Sequence, residues 1–182
     1  MLGEQPLANE IGVSRTPVRT ALALLQDEGW LILYPKRGAL VQGLEEATIS
    51  DLVETRYVLE SSSILRSTFQ QRVRLAHQLH ESIEAQHAAL THADIRSFIE
   101  STIAFHRSFV EIGENSVMLE LYDRMADRQR YQLNRMGQRL MERSEEIIAE
   151  HRELVDSLSQ EDPSKFAELL RSHLSETSGF PV

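Results

Sequence analysis

Leu7-Ala8-Asn9-Glu10-Ile11-Gly12-Val13-Ser14-Arg15-Thr16-Pro17-Val18-Arg19 is the stretch that decides the fold. Leu7, Ala8 and Ile11 share one face of a short helix that Gly12 ends, because glycine accepts the left-handed conformation that closes a helix. Ser14 is placed to cap a second helix. Pro17 falls in that helix's first turn, where its missing N–H costs nothing. Val18, Ala21, Leu22 and Leu25 supply the buried stripe, and Gly29 the stop. Trp30–Leu33 and Ala39–Val41 then flank Tyr34-Pro35-Lys36-Arg37-Gly38, the pattern of a hairpin with a basic tip. Together these make a winged helix-turn-helix.

Such a module suits duplex DNA. The second helix would enter the major groove by its N-terminal end, where backbone N–H groups and the helix dipole favour phosphate. Arg15 and Arg19 lie one turn apart, so they project from one face and can each fork onto a guanine edge. Ser14 and Thr16 are placed for phosphate oxygens, and Lys36 and Arg37 for the backbone or minor groove. Charge keeps this reading open. The whole chain of 182 residues carries a net −9, which argues against nucleic acid as a partner. Residues 1–43, however, balance Arg15, Arg19, Lys36 and Arg37 against Glu4, Glu10, Asp27 and Glu28. The excess of acid therefore lies entirely in the remainder.

The texture changes near Gly43. Five of the eight glycines (Gly3, Gly12, Gly29, Gly38, Gly43) punctuate the first part, and long helical periods follow. We place a DNA-binding domain over 1–43 and a second domain over 44–182, joined by a short connector. The second reads as an all-helical bundle with helices near 45–67, 71–91, 93–112, 115–137, 141–159 and 163–176. With 41% hydrophobic and 26% charged residues the composition is globular. The chain has no cysteine, which excludes disulfides, thiolate metal sites and cysteine nucleophiles. No apolar run is long enough to span a bilayer and no leader precedes the first helix, so a soluble cytoplasmic protein without a membrane partner is expected.

Three of the seven histidines fall on apolar stripes. His106 shares a face with Ile99, Ile103 and Val110; His151 with Ile147, Leu154 and Leu158; His173 follows Phe166, Leu169 and Leu170. An unpaired imidazole in a core costs a few kcal/mol. Either each has its own hydrogen-bond partner, or the three converge on one cation of the zinc type. His80, Glu84 and His87 also share a helix face, but away from the Leu75–Leu79–Ile83 stripe, and read as solvated. The run Arg124, Arg128, Arg130, Arg135, Arg139 and Arg143 is interleaved with Asp123, Asp127 and Glu142 and reads as ion pairing or interface.

The Leu7–Arg19 stretch, with Ala21-Leu22, Glu28-Gly29 and Arg37-Gly38, resembles the DNA-binding domain of GntR-type bacterial regulators. In that family the positions of Arg15 and Arg19 read bases, that of Thr16 contacts phosphate, and the wing-tip glycine, here Gly38, enters the minor groove. The resemblance also implies a further helix ahead of Leu7, nearly all of which this chain lacks, and a base-contacting Arg where Gln5 stands. Phe105-His106, Glu150-His151 and His173, with Asn115 after the first, resemble the FCD ligand-binding domain of the FadR subfamily; Arg56 and Glu60 fit its Arg-x-x-x-Glu signature. The resemblance implies a divalent metal, Zn or Ni, on His106, His151 and His173. Many FCD domains add an Asp four residues before the first His, where this chain has Thr102. A branch responsive to fatty acyl groups has no metal.

The resemblance therefore implies a ligand-responsive regulator, a repressor acting as a homodimer on double-stranded operator DNA. A small carboxylate effector would meet the metal, with Arg56 and Asn115 at its other end. Arg56 has a competing role as the structural partner of Glu60, one turn away. Two other functions are open on the residues alone. A metal-dependent hydrolase would use the same histidines, but no His-Glu-x-x-His pattern occurs and Glu150 is expected to point to another face. A metabolite-binding module that no longer binds DNA would follow from the missing helix.

Overall fold

The structure, a computed structural model, describes residues 1–182 and divides into two units, Met1–Glu45 and Glu46–Val182. The first holds α1 (Glu4–Ile11), α2 (Arg15–Asp27), β1 (Leu31–Tyr34) and β2 (Gly38–Val41). Gly12 closes α1 at φ 77° and returns its N–H to the Ala8 carbonyl. Ser14 stands at the N-cap of α2, but its side chain makes no capping bond. Ala8, Val18, Leu22, Leu31 and Ala39 form the buried core, with Leu7 and Leu33 against it.

The strands pair antiparallel from Leu31↔Val41 to Tyr34↔Gly38, leaving Pro35-Lys36-Arg37 as the tip. Leu2 adds a bridge to Ala39 through two backbone hydrogen bonds of 2.7 and 2.8 Å. Gly38 is required twice over. Its φ is 101°, and a Cβ there would run into the Leu2 carbonyl. Gly38→Ala should therefore cost the N-terminal unit at least about 2 kcal/mol. Trp30, the sole tryptophan, lies beside β1, so its emission during denaturation follows this unit. An unchanged midpoint would refute the constraint.

The second unit contains α3 (Glu46–Arg66), α4 (Phe69–Thr91), α5 (Ile95–Glu111), α6 (Ser116–Met136), α7 (Gln138–Glu142), α8 (Ser144–Leu158) and α9 (Ser164–Ser178). The helix expected over 141–159 starts later, at Ser144. Gly137, at φ 50°, ends α6 and a five-residue α7 intervenes. Caps fix several starts: Thr68 and Gln71 form a reciprocal capping box on α4, and Asp94 accepts from Ser97 N on α5.

Packing closes five helices into a ring. α3 lies against α5, α5 against α4, α4 against α8, α8 against α9, and α9 against α3; α6 packs outside on α5 and α3. Phe98, Phe105, Phe109, Phe166, Ile147 and Leu154 are buried within this unit. No helix is long and apolar enough to cross a membrane.

Candidate functional site

In the N-terminal unit, Arg15, Arg19, Lys36, Arg37 and Gly38 line one open concave surface, together with Glu4, Gln5 and Tyr34. Arg15 opens α2 and Arg19 follows one turn on; Lys36 and Arg37 come from the hairpin tip. Ser14 and Thr16 are exposed but are not among the lining residues. The one carboxylate on this surface is Glu4, which accepts from Arg15 Nη2 at 3.1 Å and from Arg19 Nη2 at 3.0 Å.

In the helical unit, His106 on α5, His151 on α8 and His173 on α9 converge, all buried, with one nitrogen from each lying within 4.8 Å of the others. Each Nδ1 is engaged outward. His106 Nδ1 donates to Glu60 Oε2 at 2.8 Å, His151 Nδ1 to Gln86 Oε1 at 2.7 Å, and His173 Nδ1 to Glu150 Oε2 at 2.6 Å. A proton on Nδ1 leaves a lone pair on Nε2. The Nε2 atoms of His106 and His173 then face each other at 3.2 Å, and that of His151 is buried without a partner. Burial holds His106 and His151 well below the usual histidine range.

Two ring nitrogens this close need either a proton or a metal cation between them. Nitrogens bound to a tetrahedral zinc are about 3.3 Å apart, which the His106–His173 pair nearly matches. Nδ1 atoms tied to carboxylates or an amide are also how metal-bearing histidines are oriented. The donor set therefore fits a divalent metal held through three Nε2 atoms.

Next to it, Arg56, Thr102, His106, Gln129, His173 and Thr177 help line a cavity. The space free to water centres is about 20 Å³, room for a water or two. Thr102 Oγ1, Gln129 Nε2 and Thr177 Oγ1, all on this lining, have no hydrogen-bond partner. Thr102 thus sits on the lining with His106 and His173, offering a neutral hydroxyl.

Arg56 lines the cavity and donates from Nε to Glu60 Oε1 at 3.1 Å, so the pairing with Glu60 is present. Glu60 also accepts from Tyr122 at 2.9 Å. Burial pushes the Glu60 carboxyl up, and Arg56 opposes that shift. Asn115 is not brought to the site. Its side chain caps α6, accepting from Val117 N and Met118 N, and it is absent from the cavity lining. Glu150 is not idle on another face either: it orients His173 and is itself held by Arg143 at 2.9 Å. His80, Glu84 and His87 are exposed.

Sequence reasoning passed over Gln86, Tyr122 and Gln129. Gln86 carried a signal, since it continues the Leu75, Leu79, Ile83 stripe as a polar residue on a core face. Gln129 and Tyr122 sit on a helix rich in charge, where no stripe distinguished them.

Residues 51–176 match the FCD domain, and residues 1–41 match the bacterial regulatory proteins of the gntR family. The gluconate operon transcriptional repressor of Bacillus licheniformis is 26% identical, over 98% of this chain and 75% of that protein. An HTH-type transcriptional regulator from an unstable DNA locus of Streptomyces ambofaciens is 27% identical, over 95% of this chain and 72% of that one. A GntR transcriptional regulator of Rhodococcus sp. RHA1, 19% identical, shares the fold with a TM-score of 0.79 over 98% of this chain and 84% of its own. With a gntR-family module at its head and an FCD domain over most of its length, the chain belongs to the GntR family of bacterial transcriptional regulators, and it is a regulator, not an enzyme.

Proposed function

We propose that the chain is a metabolite-responsive repressor of the FadR subfamily, acting in the cytoplasm as a homodimer on a pseudo-palindromic operator. Arg15 and Arg19 read bases, Ser14, Thr16, Lys36 and Arg37 hold the DNA backbone, and Gly38 lets the wing tip approach the minor groove. His106, His151 and His173 would hold Zn or Ni, which supplies a Lewis-acidic anchor for a carboxylate. Arg56 faces the same cavity with a fixed positive charge, suited to the ligand's other end. The neutral Thr102, Gln129 and Thr177 add hydrogen-bonding groups that a polar ligand would satisfy. The space available holds a water or two, so even a short carboxylate would need the helices around it to move apart.

One observation carries this reading: three buried imidazoles whose Nδ1 atoms are all tied outward, so that their lone pairs converge. The test uses a duplex selected from a random pool by the zinc-loaded protein. Acetate, lactate and citrate are then titrated while DNA binding is followed by fluorescence anisotropy. At least one should shift the DNA affinity by about 5- to 150-fold, and the shift should vanish after EDTA treatment. An equal effect with and without metal would overturn the metal-anchored mechanism. Carboxylate binding with no duplex retained at low salt would instead favour a metabolite-binding module.

A further inference from the structure

Glu4 is out of place on a surface that must meet DNA. The concavity holds four cations, Arg15, Arg19, Lys36 and Arg37, and Glu4 is the single acid lining it. A carboxylate there repels phosphate, so on affinity alone it is a defect. Stability does not account for it: the Arg15 and Arg19 side chains are 55% and 64% exposed, and ion pairs so exposed contribute little to folding.

The geometry of the contact suggests another purpose. Glu4 is the first residue of α1, where a negative charge is favoured by the helix dipole. From there one carboxylate bridges both arginines. Arg19 gives it Nε at 3.3 Å and Nη2 at 3.0 Å, while Arg15 gives Nη2 at 3.1 Å. The Nη1 groups of both remain without a bond to Glu4. Arg19 first, then Arg15, holds the Glu4 carboxyl below the usual range, so it is ionised whenever the protein meets DNA.

We propose that Glu4 is a positioning residue for base reading, fixing Arg15 and Arg19 in the rotamers from which they reach the operator at the expense of general DNA affinity. The proposal rests on those two arginines reading bases. Long, exposed arginines otherwise lose rotamer freedom on binding, and ordering them beforehand reduces that loss at the correct sequence only. Elsewhere the carboxylate merely repels. Specificity rises by both routes.

The test compares wild type, Glu4→Gln, Glu4→Ala and Arg19→Ala, as full-length protein. Each is used to select from duplexes randomised over the half-site, and each is titrated against one mixed-sequence duplex at several salt concentrations. Circular dichroism melts accompany every variant. Glu4→Gln should lose roughly tenfold in the ratio of selected to mixed-sequence affinity, with sequence information falling at the positions that Arg19→Ala also blurs. Its affinity for the mixed duplex should rise, with a steeper salt dependence. A motif unchanged in Glu4→Gln overturns the proposal and leaves Glu4 as a repelling charge. Information lost only at a cytosine overturns it in favour of direct readout by the carboxylate. An equal fall on both duplexes, with a lowered melt, reduces Glu4 to a structural role. If Arg19→Ala leaves the wild-type motif intact, the base-reading assignment itself fails, separately from Glu4.

Discussion

Zinc added to the metal-free protein should raise the melting temperature of the helical unit by about 5–15 °C, and the rise should disappear when His106, His151 and His173 are replaced by alanine. The size follows from linkage. A ligand at 100 to 1,000 times its dissociation constant stabilises the folded state by about 2.7–4.1 kcal/mol, and each kcal/mol is worth roughly 2–4 °C in a domain of this size. The unfolded chain has no matching site, because the three ligands are brought from α5, α8 and α9 only by folding. Metal analysis after dialysis should give about one equivalent for wild type and none for the triple variant. The metal-free wild type remains folded, since Phe105, Phe109 and Phe166 fill the core without any help from a cation. An unshifted melt at micromolar zinc and nickel, together with no bound metal, would remove the site and return the histidines to a structural role.

The second large effect lies one layer behind the imidazoles. Glu60→Ala should destabilise the helical unit by about 3–5 kcal/mol, because breaking a buried pair leaves an uncompensated charge. Glu60 is fully buried and receives three donors: Arg56 Nε, Tyr122 Oη and His106 Nδ1. Its loss strands all three. The double variant Arg56→Met/Glu60→Leu should recover only the part that comes from the unpaired Arg56 charge, because Tyr122 and His106 still lack their acceptor. Neither variant should bind zinc as wild type does. Without Glu60, His106 is free to change tautomer, and loss of such an outer partner typically weakens metal binding 10- to 100-fold. Thermal melts and zinc titrations read the two effects separately. A Glu60→Ala variant that melts within 2 °C of wild type would show that Arg56 and His106 find other partners.

Much of the DNA-binding head is legible because its determinants are local. The Gly12 turn, Pro17 in the first turn of α2, and the Tyr34–Gly38 hairpin are each decided by backbone preferences a few residues long. The Ser14 hydroxyl, expected as a cap, makes no capping bond, and Gly38 has a second reason in Leu2, far away in sequence. In the helical unit the apolar period located each histidine on a buried stripe. The resemblance, not the period, put Asn115 at the effector, and its short amide serves the backbone of α6; the period set Glu150 on another face, and no periodicity could supply its neighbour on α9.

The sequence by itself determined the winged head, the helical second half, and the fact that three imidazoles must be buried, since a period of 3.6 residues sorts side chains into inward and outward faces. Only the tertiary structure decided that those imidazoles meet. The ring runs α3, α5, α4, α8, α9, and each member contributes one part: Glu60 with Arg56, His106, Gln86, His151 with Glu150, and His173. Periodicity fixes rotation about a helix axis, but not which helix lies opposite. That choice is made by the packing of whole faces at long sequence separation, and the direction of every lone pair in the site depends on it.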